Sequence, residues 1–387
     1  ALPNIGDKSS RYQMIRFLYD FGEDDSLFVE KIRDLNWRKY EQISNPKNAS
    51  SSYYDVYNCP RTPPKKYPCT WNVLDILTNW PLEDRTLREK QTIYQGLCVF
   101  DYQLDYDKAK HYQSLELPFI IRNDPAVMRT VVRWNHQGYL SKLLGQTPHR
   151  TEVSNESTYM YWVHPELARK RLAKSNNQGT KYDPPKDWKP PTEMMKMTYD
   201  DWVRIANSSK ERDNLAHNYY YYQISGCGRG ICEEGSTEFL FDELTFFQPR
   251  NNNLYLVEPE KQKGIHCRFG MAGLSIAAHF DGSRNTIVVL SGSRRYLLAH
   301  PSECSRLGLY PVDHPSARHS RLEWTNETVD EALRGALLSE VVLQAGDVLY
   351  LPAHWFHLIV SLDLNAQCNT RSGIDLKHAK TLRECGF

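Results

Sequence analysis

The segment GDVLYLPAHWFHLIVSL, residues Gly346–Leu362, indicates the fold class more clearly than any other part of the chain. It contains two short apolar runs, Val348–Leu351 and His357–Leu362, on either side of a Pro-containing connection. Apolar runs of this length that are bounded by turn residues are typical of buried β-strands. The segment therefore predicts two consecutive strands joined by a short turn.

Further short apolar runs lie upstream of this segment, separated by turns that contain Gly or Pro. The additional strands that we predict are Leu117–Arg122, Tyr159–Val163, Asn218–Ser225, Leu254–Glu258, Phe269–Phe280, Thr286–Leu290, Tyr296–Ala299 and Val341–Leu343. Many short strands with such turns favour a sandwich or barrel. The chain has no βαβ alternation and no dinucleotide-binding glycine pattern, so we predict a mainly β protein with flanking helices.

The N-terminal part differs in character. Residues 1–116 are rich in charge, Tyr, Pro and Asn, and helical spacing occurs at Ser26–Asn36 and Trp71–Trp80. A further amphipathic helix is predicted at Thr198–His217. We therefore divide the chain into an N-terminal helical and loop extension, 1–116, and a β-rich domain, 117–387.

Composition limits the classes of partner. The chain has 387 residues with 48 Lys+Arg against 47 Asp+Glu, a formal net charge of +1, which gives no reason to expect a nucleic-acid partner. With 40% hydrophobic residues, the chain can form a packed core. Its apolar runs are far shorter than the roughly 18 residues that span a bilayer, so we predict that it is not membrane-spanning.

The cysteines and glycosylation motifs favour the secretory route. Nine cysteines include two close pairs, Cys59 with Cys69 and Cys227 with Cys232, which we interpret as disulfides that close loops. Four N-x-S/T motifs lie at Asn48, Asn155, Asn207 and Asn326. The numbering begins at Ala1, as it would after removal of a signal peptide. We therefore expect a luminal or secreted, disulfide-bonded glycoprotein; the alternative is a cytoplasmic protein with ordinary thiols.

The strongest candidate for a chemical site is His279-Phe280-Asp281, together with His357. Positions i and i+2 of a strand share one face, so His279 and Asp281 can approach a common point. With His357 on a neighbouring strand, they would form the two-His, one-carboxylate set that leaves open positions on a metal ion. In isolation, the tripeptide is far more often a His and an Asp whose side chains satisfy turn backbone groups than a metal site.

A second candidate site contains sulfur. Cys227 and Cys232, which have four residues between them, could bind zinc together with His266 and Cys267. The two Gly residues between Cys227 and Cys232 are more typical of a disulfide loop.

Several motifs in order along the chain resemble those of the JmjC/cupin-like hydroxylase family. Gly346–Leu362 resembles the family segment that ends in the second iron-binding His. The surroundings of His279 and Asp281 resemble its H-x-D strand, and Leu309–Pro315 resembles the loop between them. Within the family, the motifs are most similar to the asparaginyl hydroxylase of hypoxia-inducible factor. The resemblance covers Leu117 to about Gly373 and implies a double-stranded β-helix, the cupin jelly roll, with Fe(II) bound by His279, Asp281 and His357.

The resemblance also implies 2-oxoglutarate as co-substrate. Where the family commonly has a Lys for the distal carboxylate, this chain has Arg294, which could bind that carboxylate bidentately or instead fill the pocket. Ile276 stands where a hydroxyl residue is expected. Asn285 corresponds to an amide that lines the co-substrate site, and Tyr221 and Asn369 are weaker correspondences to co-substrate contacts.

We therefore expect an Fe(II)- and 2-oxoglutarate-dependent oxygenase that hydroxylates a residue in a protein or peptide. Aromatic residues such as Tyr221, Trp355 and Phe356 would keep its pocket dry. His314, His319 and His354 would lie near the substrate entrance, although a packing role beside Trp355 is an equally good interpretation of His354. One alternative is a catalytically silent cupin that binds an assembly partner through its N-terminal extension. The other is a cupin that uses Zn(II) or Mn(II) for non-oxidative chemistry.

Overall fold

Two β-sheets form the body of the protein. The computed structural model describes residues 12–16, 54–84, 92–174, 188–208, 218–226, 237, 239–249, 254–324 and 331–387. In chain order the strands are β1 (Trp71–Asn72), β2 (Val99–Asp101), β3 (Phe119–Arg122), β4 (His149–Ser154), β5 (Thr158–Tyr159), β6 (Glu193–Met197), β7 (Tyr219–Gly226), β8 (Gln262–Gly270), β9 (Ser275–Phe280), β10 (Asn285–Ser291), β11 (Ser293–Ala299), β12 (Leu337–Gln344), β13 (Val348–Leu351), β14 (Phe356–Ser361) and β15 (Asn365–Ser372). The α-helices are α1 (Val73–Asn79), α2 (Tyr106–Ser114), α3 (Pro125–Asn135), α4 (Tyr139–Leu144), α5 (Pro165–Lys174), α6 (Tyr199–Ser208), α7 (Leu240–Glu243), α8 (Glu331–Arg334) and α9 (Ala379–Glu384).

The chain crosses repeatedly between the two sheets. One sheet has the order β1-β12-β11-β14-β9-β5 and the other has the order β2-β3-β13-β10-β15-β8-β7-β4-β6. Except for the parallel pairs β2 with β3 and β5 with β9, neighbouring strands are antiparallel. Strands β8 to β15 are divided between the sheets, as in a double-stranded β-helix. This architecture confirms the predicted mainly β cupin fold.

The space between the sheets is filled from both sides. Because side chains alternate along a strand, β11 directs Tyr296 and Leu298 inward, while Leu297 and Ala299 face the opposite way. The inner cluster draws on β10, β13 and β3 of one sheet and on β11, β12 and β14 of the other. This apolar packing occupies one part of the interior, and polar side chains line the rest.

The outer faces of both sheets are covered by helices. Helices α3, α4 and α6 contribute apolar faces to a cluster that also contains Tyr222, Phe269 and Val288 of the nine-stranded sheet. Helices α1, α8 and α9 cover the six-stranded sheet, where Leu297, Val342 and Leu358 are buried. Because helices cover both sheets from outside, we look for the functional site in the interior of the β-helix.

The sequence located most strands of the β-helix, and its errors have physical reasons. Strand β13 was predicted with its observed bounds. The predicted strand Phe269–Phe280 was wrong, because the chain turns at Gly273 (φ 81°) and forms the end of β8 and then β9. Leu254–Glu258 was also wrong: it is an irregular segment, although Leu254, Tyr255 and Leu256 are buried. The helix predicted at Thr198–His217 is observed as α6, and 209–217 lie outside the described residues.

The N-terminal region joins both sheets. Strand β1 pairs with β12, and β2 pairs with β3 in parallel. Where a helix was expected from Trp71, the first two residues form β1 and α1 begins at Val73. The predicted helix Ser26–Asn36 lies outside the described residues, and the proposed boundary at residue 116 stays a prediction. Within the described parts of the chain, no helix has the length and apolar character needed to cross a membrane.

Three disulfides connect distant parts of the described chain. They are Cys59–Cys98, Cys267–Cys368 and Cys304–Cys385. The predicted pairing of Cys59 with Cys69 was wrong: Cys69 is a buried free thiol, and Cys59 reaches the start of β2 instead. Spacing along the chain could not reveal this, because Cys98 becomes a neighbour only when β2 joins the sheet. Cys227 and Cys232 lie outside the described residues.

Candidate metal centre

Two neighbouring strands bring His279 and His357 together. His279 on β9 is the direct cross-strand partner of His357 on β14 in the antiparallel pair, and their ring centroids are 4.2 Å apart. Asp281 follows immediately after β9, so its carboxylate is on the same side as His279. One ligand atom from each of the three residues lies within 4.8 Å of the others.

Backbone carbonyls orient both imidazoles. The Nδ1 atom of His279 lies 2.8 Å from the carbonyl oxygen of Ala277, and Nδ1 of His357 lies 3.1 Å from that of Trp355. A carbonyl oxygen only accepts, so each Nδ1 carries the proton and donates it. The Nε2 atoms are therefore left with a free lone pair, which is the form of His that binds a metal ion.

The Asp281 carboxylate is held by two donors. Its Oδ2 accepts from Asn285 Nδ2 at 3.1 Å and forms an ion pair with Arg371 at 2.9 Å. Burial by itself would raise the pKa of Asp281, but Arg371 and the nearby imidazoles outweigh burial and hold this pKa below its usual range. The other carboxylate oxygen, Oδ1, remains available as a ligand.

The protonation states of the three residues suit a metal ion. Burial lowers the pKa of His279 far below its usual value, and the neighbouring His357 lowers it further. Burial also lowers the pKa of His357. Two neutral imidazoles and one carboxylate form the two-His, one-carboxylate set of non-haem Fe(II) sites, and the same donors can bind Zn(II) or Mn(II). The donor set therefore fits an iron ion without selecting it exclusively.

A cavity of about 430 Å³ opens onto this set. Its walls include Tyr221, Asn285 and Asn369, three of the residues predicted to bind the co-substrate. Ile276, Ile287 and Ile359 supply an apolar wall.

A chain of hydrogen bonds runs along the cavity wall to the metal ligand. Arg268 donates from NH1 to Asn369 Oδ1 at 3.0 Å, and Asn369 Nδ2 donates to Asn285 Oδ1 at 2.9 Å. Asn285 Nδ2 in turn donates to Asp281. Because the guanidinium can only donate, it fixes the direction of both amides. We call these four side chains, Arg268, Asn369, Asn285 and Asp281, the amide relay.

Arg294 lies outside the cavity wall. Its side chain is fully buried, and its three nitrogens donate to Asn365 Oδ1 at 2.5 Å, to the Arg268 carbonyl at 3.2 Å and to Tyr221 OH at 3.4 Å. Tyr221 thus stands between this guanidinium and the cavity. The predicted role of Arg294 in co-substrate binding stays a prediction.

Several residues of the cavity were missed or left undecided by the sequence, among them two arginines and one histidine. Arg268 and Arg371 belong to β8 and β15, and both line the cavity. The available signal was the alternation of polar with Cys or Phe positions along β8, which places His266 and Arg268 on one face. His319, expected near the entrance, lines the cavity and stacks on His279 at 4.8 Å between ring centroids.

Other expectations from the sequence are corrected by the packing. Trp355 and Phe356 do not dry the pocket directly, because they belong to two apolar clusters on opposite faces of β14. His314 and His354 are likewise absent from the described cavity wall. The alternative zinc site was wrong for Cys267, whose sulfur is bonded to Cys368.

Comparison with known proteins gives a family. Residues 107–370 match the cupin-like domain model. The tRNA wybutosine-synthesizing protein 5 of Gallus gallus is 28% identical over 183 residues, which are 45% of this chain and 53% of that protein. Jumonji C domain-containing protein 5 of Drosophila melanogaster is 31% identical over 101 residues, 25% of this chain and 24% of that protein. Lysine-specific demethylase JMJ31 of Arabidopsis thaliana is 28% identical over 97 residues, 24% of this chain and 18% of that protein.

These matches extend over about half or less of each curated relative. The cupin-like model, in contrast, covers more than half of this chain and includes every strand from β3 to β14, together with the candidate metal centre. The chain belongs to the cupin-like domain family.

Proposed function

We propose that this protein is an Fe(II)- and 2-oxoglutarate-dependent oxygenase that hydroxylates a residue in a protein or peptide. The observation that carries the proposal is the convergence of His279, Asp281 and His357 with both imidazole Nε2 atoms free. Membership of the cupin-like family and the Jumonji C relatives support it. The motifs quoted above suggest a likeness to asparaginyl hydroxylases, which remains part of the proposal.

Some residues of this chain would bind the iron, and others would position the residues that bind it. His279, Asp281 and His357 would hold the iron, and Asn285 would keep the carboxylate in place for it. With iron and 2-oxoglutarate bound, dioxygen would be the oxidant: oxidative decarboxylation of 2-oxoglutarate would supply two of the electrons that reduce it, and hydroxylation of the substrate C–H bond the other two. The Ile276, Ile287 and Ile359 side chains would exclude water from that region of the cavity.

The direct test is calorimetry under anaerobic conditions with Mn(II) as a redox-silent probe, followed by titration of 2-oxoglutarate. We expect wild type to bind Mn(II) and then 2-oxoglutarate, and His279→Ala to lose both. His136→Ala, at an exposed histidine, is the matched control and should behave as wild type. Mn(II) binding that survives His279→Ala would contradict the assigned metal centre. Mn(II) binding without 2-oxoglutarate binding would favour non-oxidative metal chemistry, and binding of neither would favour a silent assembly subunit.

We also propose that the protein works in the secretory pathway. The three disulfides support an oxidising compartment. Asn155 and Asn207, two of the four glycosylation motifs, are exposed and could accept a glycan, whereas Asn48 and Asn326 lie outside the described residues. We further propose that residues 1–116 form an N-terminal extension that could contact an assembly partner. The glycoprotein assignment is tested by secreting the protein from a glycosylating host and measuring its mass before and after treatment with peptide N-glycosidase. A mass that the enzyme does not change would contradict the assignment.

A further inference from the structure

The cavity contains a cation that the family resemblance does not assign. Arg268, on the inward face of β8, lines the same cavity as His279, Asp281 and His357. In the strand register it lies between Gln223 of β7 and Gln367 of β15, whose side chains also line the cavity. Its neighbours across both strands are therefore neutral amides.

Arg268 has no carboxylate partner in the described part of the chain. The ion pairs of those residues join other arginines to acids, for example Arg371 to Asp281 and Arg150 to Glu152. The side-chain hydrogen bond of Arg268 is to the neutral oxygen of Asn369. A guanidinium has five N–H donors, so most of its donor capacity remains for a ligand. Glu152 and Asp281 act on this guanidinium only from beyond ion-pair distance. A half-buried cation without a directly paired carboxylate favours an anionic ligand beside it.

Arg294, the position that the resemblance suggests for the co-substrate contact, already donates hydrogen bonds within the protein. Each of its three guanidinium nitrogens has an acceptor within the protein, and Tyr221 separates it from the cavity. The space beside it is also closed on the β8 side, since a Cβ on Gly270 would lie 3.2 Å from Arg294 NH2. A ligand carboxylate would have to displace Tyr221 or Asn365 to reach Arg294.

We propose that Arg268, and not Arg294, binds the distal carboxylate of the 2-oxo dicarboxylic acid. This inference rests on the proposed function and names the residue that selects its co-substrate. Arg294 then has a positioning role. It donates to the backbone carbonyl of Arg268 and to the Tyr221 hydroxyl, and so holds these two residues of the cavity wall in place. The bound carboxylate would exchange the water around Arg268 for a charge-assisted, bidentate contact.

The amide relay connects this contact to the metal centre. The guanidinium that would hold the carboxylate also fixes Asn369, and through Asn285 it fixes Asp281. Arg268 therefore has two separable effects: its charge binds the acid, and its N–H groups orient the relay. A Gln at this position could still donate to Asn369, so it removes the first effect and preserves the second.

The test compares two ligands on the Mn(II)-loaded protein by anaerobic calorimetry. 2-Oxoglutarate has the distal carboxylate, and 2-oxobutyrate, with the same 2-oxo acid group, lacks it. For Arg268→Gln we expect 2-oxoglutarate affinity to fall about 100-fold. We expect the affinities for 2-oxobutyrate and for Mn(II) to change no more than about threefold, since neither contacts the lost charge. Arg294→Gln should keep the preference for 2-oxoglutarate over 2-oxobutyrate.

An unchanged preference for 2-oxoglutarate in Arg268→Gln would overturn the inference while leaving the proposed function intact. If Arg294→Gln loses that preference in the same experiment, the distal carboxylate is bound by Arg294 instead. Absence of any 2-oxoglutarate binding by wild type loaded with Mn(II) would overturn the proposed function as well. If Arg268→Gln does not fold, Arg268→Lys replaces it: this variant keeps the charge but loses the fork, and we expect about tenfold weaker 2-oxoglutarate binding with 2-oxobutyrate unaffected.

Discussion

Asn285 orients the Asp281 carboxylate without being a metal ligand itself. A substitution of this neutral residue therefore tests the orientation of the ligand without changing the charge of the site. It donates to Asp281 Oδ2 and accepts from Asn369, so it controls the rotation of the carboxylate. Groups that orient a metal ligand from behind typically contribute 10- to 100-fold to metal affinity. We therefore expect Asn285→Ala to weaken Mn(II) binding about tenfold, as measured by calorimetry.

The control for Asn285→Ala is the next residue of the same strand. Thr286 faces away from the cavity and donates to the carbonyl of Tyr255 at 2.8 Å. Thr286→Ala also removes one buried hydrogen bond from β10, so it should lower stability by a similar amount while Mn(II) affinity stays unchanged. Equal Mn(II) affinities in Asn285→Ala and wild type would show that Asp281 needs no support from the relay.

At the residue scale, the sequence was informative where the spacing of residues within one strand determines which side chains share a face. The H-x-D spacing placed His279 and Asp281 on one face of a strand, and the structure brings both near His357. Arg268 and Arg371 were not singled out, because an Arg in a polar stretch of sequence is usually on the surface. Their role depends on which strands become neighbours in the β-helix, and that is decided by long-range pairing.

At the scale of elements, the strands that the sequence missed include β15, which contributes several polar groups to the cavity. Strand β15 places Asn365, Gln367, Asn369 and Arg371 on its inner face, with small residues such as Ala366 and Cys368 between them. A strand with a polar inner face has no apolar alternation by which to recognise it. Strand β13 packs its inner face in the apolar part of the interior. Strand β14 presents Ile359 and the metal-centre residue His357 inward, but most of its other positions are apolar, so both strands could be recognised as apolar runs in the sequence.

The disulfide Cys267–Cys368 joins the two strands that carry the relay. The two cysteines are direct cross-strand partners, adjacent to Arg268 on β8 and Asn369 on β15. We expect the double variant Cys267→Ala/Cys368→Ala to lose about 2–4 kcal/mol of unfolding free energy in urea. It should also bind Mn(II) more weakly, because the register of Arg268 against Asn369 is less firmly held.

Cys304–Cys385 provides the matched control for that disulfide. It closes a chain segment of 81 residues, compared with 101 for Cys267–Cys368, so the loop-entropy contributions should be similar. It connects the segment Pro301–Arg306 to the C-terminal end and does not line the cavity. Removal of Cys304–Cys385 should lower stability while Mn(II) affinity stays at the wild-type value. If both double variants weaken Mn(II) binding alike, the effect is general loosening and not strand register.

At the scale of the whole molecule, we expect buried and half-buried neutral histidines to make the fold sensitive to acid. Burial lowers the pKa of His300 and of His314 to about 4, and for His300 the nearby His378 and Lys377 add to the effect. Both residues have the same local role: Nδ1 of His300 accepts from the N–H of Ser302 at 3.1 Å, and Nδ1 of His314 accepts from that of Ser316 at 2.9 Å. Protonation of either Nδ1 would place two donors face to face.

The sign of the resulting pH dependence follows from linkage. The folded pKa is lower than the unfolded value of about 6.5, so the unfolded chain binds more protons between pH 6.5 and 4. The stability contributed by neutral His300 is complete above pH 6.5 and is lost as the pH falls toward 4. Because His300 is partly exposed, we discount its contribution to about 1 kcal/mol between pH 7 and pH 5.

A substitution that keeps the acceptor but cannot titrate isolates this effect. In His300→Asn, the side-chain oxygen can still accept from Ser302, since Asn is a good N-cap residue. We expect urea denaturation of the metal-free protein to show a smaller stability loss from pH 7 to pH 5 than in wild type, by about 1 kcal/mol. His164→Asn, at an exposed histidine, should keep the wild-type slope. If the slope of His300→Asn equals that of wild type, the acid sensitivity lies in other groups, and the burial of His300 has no measurable consequence for folding.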